Sequence, residues 1–363
     1  MSEVLEPLSG PVADDVALDR MAVAAPRLAR HRIELSDGHM VGITVAGHGI
    51  PLVVVHGFSA EGVLYAQTLS RLVSMGFKVI AIDTAGHGGT SGLPYDGHDI
   101  HDYSDLLGRV IDEIGIRHYI LAGHSMGGRL VAQLAAARPE QTIAVVLIDA
   151  IVGDTWDKMV YLFRLMPPLL GGIGATLLLD SLTIVPMFHD PKQAAKFLRL
   201  VAPTVVGHVR RPWRLLGPMA SILRSRSSRY PLNEIAYNEI PVIVMHGDKD
   251  FAVPLRTAKD TAERTGGLLV TVQGGRHSWL LRDPEALPAI IHELLDSTLG
   301  QACKDALERA GVTHDAPTLS EIEAAMYEPG ARIFALTPNS DVTTIAGRHH
   351  RAKLRWIIDS VAS

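Results

Sequence analysis

"YILAGHSMGGRLVAQLAAARP", residues 119–139, joins an apolar run to a segment of helical character and places Ser125 at the junction. Gly123 and Gly127 lie on either side of the serine. Glycine has no Cβ, so a strand and a helix can approach each other closely around a tight turn. Such a turn lifts the serine hydroxyl out of the sheet, and the next amide starts the helix beside it. The stretch therefore predicts a nucleophile elbow of the G-x-S-x-G type.

Short apolar runs alternate with segments of helical length on both sides of this elbow. This alternation predicts an α/β fold, a mostly parallel sheet of eight strands with helices on both faces. The first two strands are expected to form a hairpin around Asp37-Gly38. The predicted strands are residues 31–35, 40–47, 51–57, 78–83, 119–123, 144–150, 241–247 and 268–274.

The alternation is interrupted once and ends before the chain does. Residues 153–235 contain no good strand pattern, which predicts a helical cap inserted after the sixth strand. The α/β core then comprises residues 30–152 and 236–299. Residues 1–29 form an N-terminal arm, and residues 300–363 form a C-terminal extension of unassigned role.

The composition favours a globular protein and excludes several classes. Of 363 residues, 47% are hydrophobic and 20% are charged, and the net charge of −5 argues against a nucleic-acid partner. Cys303 is the only cysteine, which excludes an internal disulfide framework and thiolate metal sites. The acidic N-terminus has no signal-peptide pattern, so we expect a cytoplasmic protein. No apolar run is long enough to predict a membrane span.

A serine nucleophile needs a base and a carboxylate that orients the base. Catalytic groups of parallel sheets gather where the strands end. His277 follows the last predicted strand and is the candidate base, while Asp248 and Asp250 follow the strand before it. Asp149, at the end of the sixth strand, is a further candidate acid. The chain order of Ser125, an aspartate and then His277 is the order associated with this elbow.

The oxyanion formed during acyl transfer needs backbone donors near the serine. The run "VVVHGF" ends a strand at His56-Gly57-Phe58, so the amides of Phe58 and Met126 are the candidate donors. We expect His56 to stabilise its loop rather than to act as a base, and Gly57 and His124 to support the surrounding loops.

Two other groups of histidines are not expected to take part in catalysis or metal binding. His87, in "DTAGHGGTSG", is expected to support a loop at the same sheet edge. His349-His350 is an isolated pair without a spaced carboxylate, so we expect no metal site there or elsewhere.

The sequence resembles the α/β-hydrolase superfamily, in particular its esterase and monoacylglycerol-lipase-like members. The resemblance covers residues 30–298 apart from the cap and rests on "HGF", "DTAGHGGTS", "GHSMGG", "HGDKDFAVP" and "GRHSW". It implies that Asp250 is the acid of the triad. It argues against epoxide hydrolases and haloalkane dehalogenases, which carry an aspartate where this chain has Ser125.

The predicted reaction is cleavage of a carboxylic ester through an acyl-enzyme on Ser125, with no metal or organic cofactor. One alternative is hydrolysis of a carbon–carbon bond or a thioester, or perhydrolysis, by the same residues. An alternative of another class is a small-molecule binding module that has lost catalysis.

The predicted cap supplies the substrate hypothesis. Residues 165–188 are mostly apolar, which favours an apolar acyl site and a lipid-like ester. Residues 191–233 contain nine lysines and arginines and no acidic residue, which favours anionic substrates or peripheral contact with an anionic membrane. The basic residues of this segment are Lys192, Lys196, Arg199, Arg210, Arg211, Arg214, Arg224, Arg226 and Arg229.

In the C-terminal extension, "IFALT" and "WII" indicate burial against the core or against a second copy in a homo-oligomer.

Overall fold

A computed structural model describes residues 24–26, 28–58, 60–94, 99–169, 171–172, 206–207, 209–338, 343–346 and 352–360. Most of the predicted N-terminal arm, the cap residues 173–205 and the pair His349-His350 lie outside the described residues.

The described residues form one large sheet and one small one. The large sheet has nine strands in the order β11-β9-β8-β7-β6-β4-β5-β3-β2, and β1 pairs separately with β10. Strands β4 to β9 are mutually parallel, whereas β2, β3 and β11 pair in antiparallel fashion at the edges. The strands are β1 Ala24–Pro26, β2 Ala29–Glu34, β3 Met40–Ala46, β4 Ile50–Val55, β5 Phe77–Ile82, β6 Tyr119–His124, β7 Thr142–Ile148, β8 Val242–Gly247, β9 Leu268–Gln273, β10 Thr343–Ala346 and β11 Arg355–Ser360.

The predicted fold class is confirmed, and all eight predicted strands are present. The large sheet has one strand more than predicted, because the C-terminal extension contributes β11. This strand pairs with β9 from Arg355 opposite Gln273 to Ser360 opposite Leu268. It covers a sheet edge whose N–H and C=O groups would otherwise lack partners.

Helices cover both faces of the large sheet. They form two groups, and the helices of each group pack against one another. One group contains α2, α3, α6 and α7, and the other contains α1, α9, α10 and α11. The helices are α1 Ala66–Val73, α2 Ile100–Glu113, α3 Met126–Ala137, α4 Asp154–Leu165, α5 Leu216–Arg224, α6 Arg229–Tyr237, α7 Leu255–Thr265, α8 Trp279–Arg282, α9 Ala286–Leu295, α10 Thr298–Arg309, α11 Leu319–Met326 and α12 Arg332–Leu336.

The central strands are buried along their whole length. Every residue of β5, β6, β7 and β8 is buried, as expected of parallel strands with helices on both sides. Between β7 and β8 the described residues contain α4, α5 and α6 and no strand. Among the described helices, none is long and apolar enough to cross a membrane.

The C-terminal extension packs against the core. Tyr327 is buried and donates a hydrogen bond from its hydroxyl to the Gly49 carbonyl at 2.8 Å. The Nζ of buried Lys78 lies 4.7 Å from the centroid of the Phe334 ring and donates to the Thr337 hydroxyl at 3.1 Å. Burial lowers the pKa of Lys78 to about 8. The extension therefore contributes to the hydrophobic core beneath β4 and β5.

Candidate active site

The turn between β6 and α3 has the geometry of a nucleophile elbow. Ser125 has φ 53° and ψ −116°, a left-handed conformation that strains a non-glycine residue. Its amide donates to the Ile148 carbonyl at 2.9 Å, which holds the turn against β7. A Cβ on Gly123 would collide with the Gly127 carbonyl, and a Cβ on Gly127 would collide with the Val55 carbonyl. The glycines therefore allow three backbone segments to meet around Ser125.

The loop after β4 lies directly against this turn. A Cβ added to Gly57 would approach His124 Nδ1 to 2.9 Å and the Ser125 Cβ to 3.1 Å. Phe58 follows Gly57 in the chain, and Met126 is the first residue of α3. The segments that carry the two predicted oxyanion donors therefore both adjoin the serine.

His277 and Asp250 form a buried hydrogen-bonded pair. The His277 Nδ1 donates to Asp250 Oδ2 at 2.7 Å. The other carboxylate oxygen, Oδ1, accepts from the amides of Ala252 at 2.8 Å and Val253 at 2.9 Å. Burial acts to raise the pKa of Asp250, but the neighbouring His277 and these hydrogen bonds lower it overall. Asp250 is therefore held as a charged acceptor that orients the imidazole.

The other two candidate carboxylates are placed elsewhere. Asp248 accepts from the Gly274 amide at 2.7 Å in an exposed turn. Asp149 is fully buried at φ 43° and accepts from the Gly247 amide at 2.9 Å. Burial first, and the nearby Asp250 second, raise the pKa of Asp149 well above its usual value. Burial thus disfavours the charged form of Asp149, which suits it less well than Asp250 to stabilise a charged imidazole.

His246 is a neighbour of the pair that the sequence reasoning missed. Its Nε2 donates to the Val253 carbonyl at 2.9 Å and lies 3.7 Å from Asp250 Oδ2. Its Nδ1 lies 3.7 Å from Asp149 Oδ1. Its place four residues before Asp250, at the end of a buried strand, was the available signal.

Asp149, His246 and Asp250 form the one group in the described part of the chain that could hold a metal ion. The Asp250 oxygens already accept three N–H groups. We therefore assign these residues to the support of His277 and propose no ion there.

His124 links the elbow to the loop that carries His277. Its Nε2 donates to the His277 carbonyl at 2.8 Å, so its Nδ1 accepts from the hydroxyl of Tyr65 at 3.0 Å. Burial, followed by repulsion from His277, lowers the pKa of His124 to about 3. A neutral His124 is suited to the supporting role predicted for it. Tyr65 had not been singled out, because nothing local marks a core tyrosine as a partner of this loop.

His56 and His87 brace the loops beside the elbow. The fully buried His56 donates from Nδ1 to the Gly57 carbonyl at 2.8 Å and accepts from the Thr84 amide at 3.0 Å. Burial lowers the pKa of His56, which favours the neutral ring. The Nδ1 of His87 lies 2.9 Å from the Thr84 hydroxyl, and its ring lies edge-on to Phe58 with centroids 6.1 Å apart. Both histidines thus join neighbouring loops at the carboxyl edge of the sheet.

A parallel sheet with a strained serine and a histidine–aspartate pair at its carboxyl edge defines the α/β-hydrolase class. The family described as serine aminopeptidase, S33, matches residues 50–285. The chain belongs to this family of α/β-hydrolases.

Known proteins similar to the chain include hydrolases and a haloperoxidase-like protein. A putative non-heme haloperoxidase of Mycobacterium phage D29 is 34% identical over 73% of this chain and 94% of its own length. A monoacylglycerol lipase of Mycolicibacterium smegmatis is 24% identical over 64% of this chain and 82% of its own. Among solved structures, a carboxylesterase from the thaumarchaeon Nitrososphaera gargenis superposes with a TM-score of 0.58 at 20% identity, over 76% of this chain and 100% of that one. This last likeness concerns the fold.

Proposed function

We propose that the protein hydrolyses carboxylic esters through an acyl-enzyme on Ser125. The observation that carries the proposal is the buried hydrogen bond of 2.7 Å between His277 Nδ1 and Asp250, on the sheet edge where Ser125 adopts its strained conformation. Family membership supports the hydrolase class.

In the proposed mechanism, the Asp250 carboxylate holds the Nδ1 proton of His277, so Nε2 takes the proton from the attacking Ser125 hydroxyl. The carbonyl carbon becomes tetrahedral, and its oxyanion accepts hydrogen bonds from the amides of Phe58 and Met126. Loss of one such donor typically costs about 3 kcal/mol of transition-state stabilisation. His277 then protonates the departing alcohol, and water attacks the acyl-enzyme with His277 again as the base.

The substrate we propose is a hydrophobic, lipid-like ester. Several large apolar side chains of the cap are exposed, which suits contact with an acyl chain or a lipid surface. Arg210 and Arg211 are exposed within the same region, and anionic surfaces attract such residues. The exposed apolar residues are Tyr161, Leu162, Leu165, Met166, Leu169, Val206, Val209, Trp213 and Leu216.

Not every predicted basic residue is available for such a surface. Arg229 pairs with Asp154 at 3.0 Å, and Arg214 donates to the Thr90 carbonyl at 2.7 Å. We propose the membrane contact at Arg210 and Arg211, because these exposed arginines lie beside the exposed apolar residues Val209 and Trp213 in the chain. A cytoplasmic location, peripheral to a membrane, and a homo-oligomeric state are further parts of the proposal.

The decisive test is covalent labelling of Ser125 with a fluorophosphonate, read by intact mass. We expect the wild-type protein to gain one label and the Ser125→Ala variant to gain none, with an unchanged circular dichroism spectrum. An unlabelled wild-type protein, inert toward a panel of p-nitrophenyl esters, would favour the non-catalytic binding module.

Perhydrolysis is the second candidate, and the phage haloperoxidase-like relative favours it. In this reaction hydrogen peroxide replaces water and attacks the same acyl-enzyme, which releases a peracid and regenerates the serine hydroxyl. Peracid formation from an ester and peroxide, absent in Ser125→Ala, would support it. If hydrogen peroxide leaves the rate of ester hydrolysis unchanged and no peracid forms, water is the molecule that attacks the acyl-enzyme and perhydrolysis is excluded.

A further inference from the structure

A cavity of about 180 Å³ lies where the cap segment 225–231 meets the first turn of α2 and the second turn of α3. Ser125 and His277 do not line it, so it is distinct from the candidate active site. Its polar lining includes Asp99, His101, Arg129, Gln133, Arg226 and Tyr230.

Arg129 places a buried positive charge at this cavity. The side chain is 3% exposed, and its Nη2 donates to the Arg226 carbonyl at 2.7 Å. Within the described residues, its Nε and Nη1 have no hydrogen-bond partner. Burial lowers the pKa of Arg129, yet a guanidinium remains charged in proteins. A buried charge of this kind is costly unless an anion or a polar group satisfies it.

Asp157 compensates this charge only in part. Its Oδ1 lies 3.8 Å from Arg129 Nη1, beyond hydrogen-bonding distance. Its Oδ2 already accepts from the hydroxyls of Ser227 and Ser228 and from the Ser228 amide, at 2.7–3.0 Å. The guanidinium therefore retains capacity for a further anionic partner.

Gln133 supplies a second polar group on the same face of α3, because it follows Arg129 by four residues. Its side chain is 7% exposed and lines the cavity. None of the described residues forms a hydrogen bond with its amide. The amide can therefore donate to a ligand beside the guanidinium.

Arg226 adds positive charge at the cavity opening. Arg226 and His101 are exposed there, and His101 lies in the first turn of α2, whose dipole favours anions. Among the described lining residues, the one carboxylate is that of Asp99, which caps α2 and accepts from the His101 amide at 2.5 Å. Its charge is thus directed toward the helix.

We propose that this cavity binds an oxyanion group, a carboxylate or a phosphate, through Arg129, Gln133 and Arg226. A planar guanidinium matches both anions through paired N–H donors. A bound anion would join the cap segment 225–231 to α3, in which the Arg129 amide donates to the Ser125 carbonyl at 3.4 Å. The site therefore lies one helical turn from the proposed nucleophile.

The test is calorimetric titration of the Ser125→Ala protein with inorganic phosphate, acetate and glycerol at constant ionic strength. The use of this variant separates binding from any hydrolysis, so an error in the proposed reaction would leave the result readable. We expect saturable binding of phosphate and acetate and none of glycerol. Glycerol 3-phosphate is titrated as a model of a lipid headgroup. If it binds more tightly than inorganic phosphate, the cavity is a headgroup site; if the two bind equally well, the cavity is a site for the free anion.

Two substitutions and one control locate the binding. Gln133→Leu and Arg226→Gln should each weaken binding roughly tenfold, the effect of losing one hydrogen bond to a charged group. Arg224→Gln removes an exposed charge that does not line the cavity and should leave the affinity unchanged. If Gln133→Leu fails to fold, Arg226→Gln carries the test. Absence of saturation at about 50 mM anion, or equal affinity in every folded variant, would overturn the proposal.

Discussion

Replacement of Asp250 by asparagine should disable the proposed catalytic histidine with little change in the fold. The Oδ1 of Asp250 accepts two amides, from Ala252 and Val253, so the side-chain oxygen of the substituted asparagine should keep that position. Its NH₂ group then faces His277 Nδ1, where the aspartate accepted a proton at 2.7 Å. Two donors cannot face each other, so the proton of His277 moves to Nε2. That nitrogen can then no longer accept the proton of Ser125.

We expect turnover to fall by about 10³ to 10⁴, or roughly 4 to 5.5 kcal/mol, the scale known for a triad histidine held in the wrong tautomer. The assay is single-turnover acylation with a p-nitrophenyl ester over a range of pH. The matched control is Asp248→Asn, which alters an exposed turn and should retain nearly full activity. Near-normal acylation by Asp250→Asn, or a larger kinetic loss in folded Asp149→Asn, would refute the reasoning.

Four further outcomes follow from the structure. Asp149→Asn should change the melting temperature more than turnover, because Asp149 is fully buried, its pKa is raised, and His277 pairs with Asp250 instead; a selective loss of activity would contradict this. A chain ending at residue 299 should aggregate or melt earlier in light scattering and calorimetry, because it lacks β11 and the buried Tyr327; an equally stable truncation would show that these contacts contribute little. Lys78 has a folded-state pKa of about 8, below its usual 10.5, so the unfolded chain binds more protons between these values and stability should rise with pH there. Lys78→Met removes this titrating group. In urea unfolding, the free energy of unfolding of the wild-type protein should therefore rise relative to that of Lys78→Met between pH 8 and 10.5, and a constant difference between the two proteins would refute this assignment. Medium and long acyl esters should react faster than acetates, and a strict acetate preference would exclude the lipid-like substrate. Combined substitution of Arg210 and Arg211 by Gln should weaken binding to anionic vesicles about 30-fold, with the paired Arg229→Gln as control; vesicle binding that is insensitive to lipid charge and salt would exclude the membrane contact.

Local patterns in the sequence were sufficient to predict the fold. Buried parallel strands require continuous apolar runs, and the elbow requires glycines at fixed positions around Ser125, so both leave a record in neighbouring residues. The positions of His277 and Phe58 after strand ends were readable for the same reason. The ninth strand was missed because an edge strand needs only one paired neighbour and carries a weaker pattern: β11 has no fully buried residue.

Contacts between residues that are distant in the sequence could be identified only from the tertiary structure. Asp149, Asp248 and Asp250 all follow strands, and spacing alone could not select among them. In the structure, the loop after β9 brings His277 to the carboxylate of Asp250, whereas Asp248 lies in an exposed turn and Asp149 is fully buried, so we propose Asp250 as the acid. The same holds for Arg129 and Gln133: their spacing places them on one helical face, but only the return of segment 225–231 against α3 encloses them in a cavity. Local sequence records which face of an element is apolar, whereas the partner of a polar group depends on which remote segment the packed core brings to it.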